Sequence, residues 1–326
     1  MKKKLKIKGL SILMAILMVA SIIPMGAISS FAADADYQYS VVSETDQTIK
    51  IEKYVGAGGD ITIPSTIGGY TVINIGFAAF ENCINITSLI IPDSVTSLSL
   101  SAFYRCAGLK SVILGNGITS ISQQAFYDCT SLTSIVIPNS VTSIEPAAFA
   151  GCTSLKSVTI GNSVTNIGIG AFSGCEGLTN VTIPDSVTNI GDRAFFACTS
   201  LKGVTIPNSV TTIGVRAFGY YMGNADYEKT PNFSITGTKG SLAESYAIAN
   251  GFKFVDVTAP TVMLGDVTGD GRVTSGDAIA VLRAEAQLRT LSAAEFTAAD
   301  VVKDNRVTSG DAIRILRYEA QLVPSL

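Results

Sequence analysis

Residues 125–146 read AFYDCTSLTSIVIPNSVTSIEP, and this stretch is all but the last residue of one period of a much longer pattern. Its Ala-Phe pair recurs at Ala79-Phe80, Ala102-Phe103, Ala125-Phe126, Ala148-Phe149, Ala171-Phe172, Ala194-Phe195 and Ala217-Phe218, each step being 23 residues without an insertion. Three residues after the first six Phe stand Cys83, Cys106, Cys129, Cys152, Cys175 and Cys198, which are all the cysteines of the chain. The seventh unit has Tyr221 there. Leu132, Ile135 and Ile137 mark three further positions that hold Ile, Leu or Val in each of the first six units. The spacing of two between the last pair puts both on one side of a strand. Pro138 then ends the strand, and Val141 and Ile144 carry the chain back.

One such unit cannot bury its own apolar edge, but stacked units make a continuous core, with coils about 4.8 Å apart, the distance of strand pairing. The predicted fold is therefore mostly β, a solenoid of 23-residue repeats. Over about residues 37–256 the motif resembles the BspA-type leucine-rich repeat, which implies the same architecture. The solenoid with its C-terminal cap is assigned to residues 76–256, and residues 33–75 to an N-terminal cap of short strands with turns at Gly56–Asp60 and Gly68-Gly69. Residues 233–255 close the other end, with a helix over 241–249 opened by a Ser241/Glu244 capping box and stopped by Gly251. An even cysteine count in an exported protein suggests disulfides. The strict register instead makes each thiol an equivalent buried position, so a ladder of free thiols is the expected arrangement, although distance alone permits bridges between adjacent coils.

The outward strand positions are Ser88, Ser111, Ser134, Ser157, Asn180 and Gly203, flanked by Ile90, Ile113, Val136, Thr159, Thr182 and Thr205. They form a flat, neutral face of small residues, a scaffold surface rather than a groove with converging polar groups. Tyr104 and Tyr127 share a register position and read as an aromatic contact patch or as rim residues. Residues 219–232 break the period, and such irregular loops often carry function.

The N-terminus follows another logic. Lys2, Lys3, Lys4, Lys6 and Lys8 precede an apolar run over residues 10–28, and small residues flank Phe31 at Ser30 and Ala32. That order predicts a signal peptide over residues 1–32, hence a secreted protein, with no later segment apolar enough to span a bilayer. Without those residues, 18 Lys and Arg face 26 Asp and Glu, a net charge of −8, which disfavours nucleic acid as a partner. The chain has no histidine, which removes His-based triads, His-ligated metals and imidazole acid–base chemistry. It also has no tryptophan for stacking on sugars.

After a linker at residues 257–263 the pattern changes. RVTSGDAIAVLRAEAQL (272–288) returns 34 residues later as RVTSGDAIRILRYEAQL (306–322), differing only at Ala280/Arg314, Val281/Ile315 and Ala284/Tyr318. Each copy begins as a loop suited to calcium, which takes six to eight oxygens from alternate positions and a carboxylate at the twelfth. In the first loop Asp266, Thr268 and Asp270 stand at positions one, three and five, Arg272 offers its carbonyl, Thr274 acts through water and Asp277 closes. In the second the series is Asp300, Asp304, the Arg306 carbonyl, Thr308 and Asp311, with Val302 in place of an oxygen at position three. Gly271 and Asn305 fill the sharp turn, which needs positive φ. Two Ca2+ sites are predicted, the second weaker. Capping of the following helix by Ser275, Ser309 and nearby Asp is the alternative use of these loops. Each helix is expected to bury an edge of Ile279, Val281 and Leu282, or Ile313, Ile315 and Leu316, with no full helix before the loop.

Residues 264–326 resemble a type I dockerin domain, a small all-α calcium-binding module. The resemblance implies binding to a cohesin domain of a scaffoldin. It places the contacts at Ser275, Gly276 and Arg283 in one copy and at Ser309, Gly310 and Arg317 in the other, with either copy able to face the partner. Ser-Gly departs from the Ser-Thr of some dockerins, so cohesin specificity does not carry over. The functional expectation is a secreted, non-catalytic binding or adhesion protein. Its dockerin joins a cellulosome-like extracellular complex, and its repeats touch a protein or polysaccharide. A polysaccharide-degrading component and a purely structural spacer are the alternatives.

Overall fold

In the computed structural model the described residues are 30–31, 34–257, 264–268, 272–287, 290–321 and 325–326. The expected signal segment and linker lie almost wholly outside them. The chain divides into two compact units, one ending at Val257 and one beginning at Thr258.

The first unit is the predicted solenoid. One parallel sheet runs through Ser30–Phe31, Gly59–Thr62, Ile86–Ile90, Ser111–Ile113, Ser134–Val136, Ser157–Thr159 and Asn180–Val181. A Thr182–Thr205 bridge links it to Gly203–Thr205, which pairs with Ser234–Gly237, and that strand pairs with Lys253–Asp256. A second sheet stacks Ser120–Ile121, Ser143–Ile144, Asn166–Ile167, Asn189–Ile190 and Thr212–Ile213. The register reproduces the repeat: Ser134 pairs with Ser157 and Ser157 with Asn180, each 23 residues on.

The repeat positions explain the core. Phe80 through Phe218 stack along the unit with ring centres 4.8–5.3 Å apart, and the last five pairs are within 2–11° of parallel. That spacing is close to the strand-pairing distance of about 4.8 Å, so ring stacking and backbone pairing reinforce each other. Tyr54 ends the stack on one side, 5.1 Å from Phe80, and Tyr246 on the other, edge-on to Phe218.

All six cysteines are free. Five of them are buried, and each of those thiols donates to the carbonyl of the Phe one coil earlier, from Cys106 to Phe80 (3.0 Å) through Cys198 to Phe172 (3.2 Å). Burial pushes the Cys83, Cys152 and Cys198 thiols up to about 12 and raises Cys129 and Cys175 as well. Cys106 is also raised, by its thiol neighbour Cys129 and by burial. These thiols are structural donors rather than nucleophiles.

Each coil also turns two corners through left-handed backbone. One lies before the Ala-Phe pair, as at Ala78, Ser101, Gln124, Ala147, Arg193 and Arg216; the other lies before the cysteine, as at Asn82, Arg105 and Asp128. Most of these residues are not glycine, so the stack holds a conformation that each residue alone disfavours.

The C-terminal cap contains helix α1, Leu242–Asn250, closed by Gly251 at φ 63. The predicted capping box forms only in part. Ser241 is the N-cap residue but its hydroxyl makes no capping bond, and Glu244 accepts from Gly240 N instead (2.6 Å). Residues 219–232 form an antiparallel hairpin, Tyr220–Met222 with Tyr227–Lys229.

The second unit holds α2 (Ser275–Glu285), α3 (Ala293–Ala299) and α4 (Ser309–Glu319). Helix α3 precedes the second loop, where none was expected. Its start is a capping box between Ser292 and Glu295, and its alanines favour helix.

Candidate calcium loops and partner-binding face

Helices α2 and α4 begin alike. Thr274 and Thr308, at loop position nine, are the N-caps, and Asp277 and Asp311, at position twelve, complete capping boxes. The caps are thus the threonines rather than Ser275 and Ser309. Capping and the loop pattern share the same residues.

Asp277 and Asp311 are fully buried. Asp277 Oδ1 accepts from the Thr268 amide and hydroxyl (2.8 and 2.9 Å), and its Oδ2 from the Thr274 amide and hydroxyl (2.8 and 3.2 Å). Burial pushes this carboxyl up, but the hydrogen bonds from Thr274 and Thr268 outweigh it and hold it below the usual range. In the second loop Asp311 Oδ2 accepts from the Thr308 amide and hydroxyl (2.9 and 3.3 Å), whereas Oδ1 accepts only the Val302 amide (3.1 Å). Val302 therefore removes one hydrogen bond as well as one oxygen. Asp300 accepts from Asp304 N and Asn305 N (3.0 and 2.9 Å), and Asp304 from Arg306 N (2.9 Å), with Asn305 at φ 60 as its turn position requires.

Asp270 and Gly271 lie outside the described residues, and among the described residues no three acidic or sulfur side chains converge on one point. The donor set is nonetheless one that calcium fits. Every side-chain donor is oxygen, and the two buried carboxylates form no ion pair among the described residues. Buried carboxylate is costly without a counter-charge, and a hard divalent cation supplies one.

The helices correct the expected buried edge. Val281 and Ile315 are buried, together with Ala278 and Ala312. Ile279, Leu282, Ile313 and Leu316 are instead 41–51 % exposed. Residues at i and i+3 share a helix face, and Ala278 with Val281 already fills the side turned to the core. Ile279, Leu282 and Arg283 are left outside in α2, as are Ile313, Leu316 and Arg317 in α4. Ser275, Gly276, Ser309 and Gly310 are exposed too. Each copy thus presents one apolar patch with an arginine beside it.

On the solenoid the outward strand residues Ser111, Ser134, Ser157 and Asn180 are exposed as predicted, whereas Ser88 and Gly203 are half-buried. Near its C-terminal end the face deepens into an open depression of about 730 Å3 lined in part by Asn180, Thr182, Thr205 and Thr236. Tyr104 and Tyr127 stack at 5.0 Å, with Arg105 over Tyr104 and paired to Asp128 at 3.5 Å. Among the described residues no helix is long and apolar enough to cross a membrane.

Comparison with known proteins follows this division. The family model for the BspA type leucine rich repeat region matches residues 59–178 and 119–236, and that for the dockerin type I domain matches residues 264–318. A leucine-rich repeat protein of T. pallidum is 31 % identical, with a TM-score of 0.52 over 56 % of this chain and 86 % of its own. A leucine-rich cell surface protein of Faecalibacterium prausnitzii is 33 % identical, with a TM-score of 0.51 over 64 % and 70 %. A leucine-rich repeat protein of Bacteroides ovatus is 25 % identical, with a TM-score of 0.50 over 69 % and 67 %. No curated protein matches the chain. Both kinds of module are non-catalytic, and type I dockerins are calcium-binding modules with cohesin partners. The chain belongs to the BspA-type leucine-rich repeat family and carries a type I dockerin domain C-terminal to its repeats.

Proposed function

We propose that this is a secreted, non-catalytic binding protein, exported by way of residues 1–32. Its dockerin docks on a cohesin domain of a scaffoldin within a cellulosome-like extracellular complex, and its repeat domain contacts a protein or polysaccharide. The observation that carries the docking reading is the duplicated face: Ile279, Leu282 and Arg283 on α2 match Ile313, Leu316 and Arg317 on α4, all exposed. Exposed apolar side chains beside an arginine are the composition of a protein-binding patch. Ser275 and Gly276, or Ser309 and Gly310, extend each patch to the helix start.

Calcium, when bound, neutralises loop carboxylates and ties each loop to its helix. Asp266, Thr268, Asp270, Arg272, Thr274 and Asp277 would hold it in the first loop, and Asp300, Asp304, Arg306, Thr308 and Asp311 in the second. The second site is the weaker, because Val302 offers no oxygen. The test is capture of a cohesin-bearing protein from the producing organism's secretome by the full chain. Capture in calcium that is lost in chelator supports the reading; no cohesin captured, or capture that persists in chelator, counts against it.

A further inference from the structure

The hairpin that interrupts the repeat gathers two arginines around one ring. Arg193 and Arg216 occupy the same corner of successive coils, at φ 54 and 53. The Arg216 guanidinium lies 3.9 Å from the centre of the Tyr227 ring. That of Arg193 lies 5.5 Å away, and its Nη2 donates to the Tyr227 hydroxyl at 2.7 Å. Phe196 meets the ring edge-on at 5.8 Å.

Neither arginine pairs with a carboxylate: among the described residues the ion pairs are Lys50–Glu52 and Arg105–Asp128. Arg105 is the instructive contrast, since it also covers a tyrosine but is neutralised by Asp128. The acids beside the cluster are engaged by other donors, Asp226 by the Tyr227 amide at 2.6 Å. Glu228 accepts from the Tyr221 hydroxyl, and Asp192 accepts from Val215 N at 2.8 Å. Met222 stands opposite Tyr227 in the hairpin register and is 58 % exposed, and Val215 is 61 % exposed.

We propose that the Arg193–Tyr227–Arg216 cluster is a docking surface for a partner protein that presents carboxylate side chains next to an apolar one. The proposal rests on the reading of the repeat domain as a binding module. Two guanidinium forks held in place by one ring are pre-organised for carboxylate, and an anion relieves the repulsion between them. Arginine, tyrosine and methionine together are the composition of interface centres. The exposed Met222 and Val215 favour a protein over a carboxylated glycan, which has no apolar side chain to lay against them.

The probe is a fluorescently labelled peptide of alternating glutamate and leucine, titrated with the full chain at low salt beside its glutamine–leucine counterpart and polygalacturonate. The wild-type chain should bind the glutamate peptide in preference to the glutamine one. The double variant Arg193→Gln/Arg216→Gln should bind it at least about tenfold more weakly, with an unchanged melting temperature. Arg193→Lys/Arg216→Lys, which keeps charge but loses the forks, should fall between. Equal binding by wild type and the Gln variant overturns the proposal, as does binding of polygalacturonate alone. If the wild type ignores the peptide but still captures cohesin, the proposal falls and the docking reading stands. If it binds the peptide but captures no cohesin, the reverse holds.

Discussion

The two units are both built by repetition, and they use it in opposite ways. In the solenoid the repeated Phe side chains turn inward: the Phe row is at most 1 % exposed, and Ile137 and Ile144 are buried in the same core. In the C-terminal unit the second copy repeats an outward patch, Ile279 and Leu282 matched by Ile313 and Leu316. Repetition along the stack makes each coil a wall for its neighbour. Repetition in the dockerin makes a second surface equivalent to the first. An apolar repeat position such as that of Phe126 is core in the first unit, whereas that of Ile279 and Ile313 is exposed in the second.

The sharpest way to break this comparison is to truncate one apolar side chain in each unit. Phe149→Ala, in the middle of the stack, should cost about 3–5 kcal/mol, because it leaves a cavity between two stacked rings. Ile313→Ala on exposed α4 should cost less than about 0.5 kcal/mol. Urea unfolding of the full chain, followed separately for each unit, checks both.

Next in size is calcium. Chelation should lower the melting temperature of the C-terminal unit by several degrees and leave the solenoid transition where it was, read by calorimetry. Within that unit Val302→Asp should restore an oxygen at position three and tighten the second site about tenfold, read by calcium titration.

A smaller effect concerns the thiol row. Cys152→Ala removes the bond to the Phe126 carbonyl and should cost about 1–2 kcal/mol, whereas Cys152→Ser, which can keep a donor there, should cost less. The row also gives a pH dependence of definite sign. Folding raises the Cys152 and Cys198 thiols to about 12. Their contribution is complete below the unfolded thiol value of about 8.5 and is lost as pH rises from there towards about 12. The solenoid should therefore weaken across that alkaline range, and replacing both cysteines with serine should flatten the curve.

The sequence made the solenoid legible because a 23-residue register leaves no freedom: Phe126, Cys129 and Ile135 each name their place in the coil. The cap helix and its Gly251 stop were legible for the same local reasons. The corners were not, because Gln124, Ala147 and Arg193 give no sign of left-handed backbone; only Gly151, Gly170 and Gly174 hint at it. The Arg193–Tyr227–Arg216 cluster was hidden because it joins repeat corners to a hairpin outside the period. In the C-terminal unit the loop positions were readable from spacing, whereas the Ser, Gly and Arg residues followed only from the resemblance to a dockerin. The outward face of Ile279 and Leu282 was not, since a short helix with apolar residues on two sides does not say which side the core takes. Helix α3 had a visible signal in Ser292-x-x-Glu295.

The central claim is that either copy of the dockerin can carry the docking. It is tested most directly by measuring, in calcium, capture of a cohesin-bearing protein by the full chain with Ser275→Ala/Arg283→Ala, with Ser309→Ala/Arg317→Ala, and with all four changes. Each double variant should bind within about threefold of wild type, and the quadruple variant should lose binding by at least about a hundredfold. Loss of binding in one double variant alone would contradict the account, leaving a single working face and a second copy that serves only to hold it up.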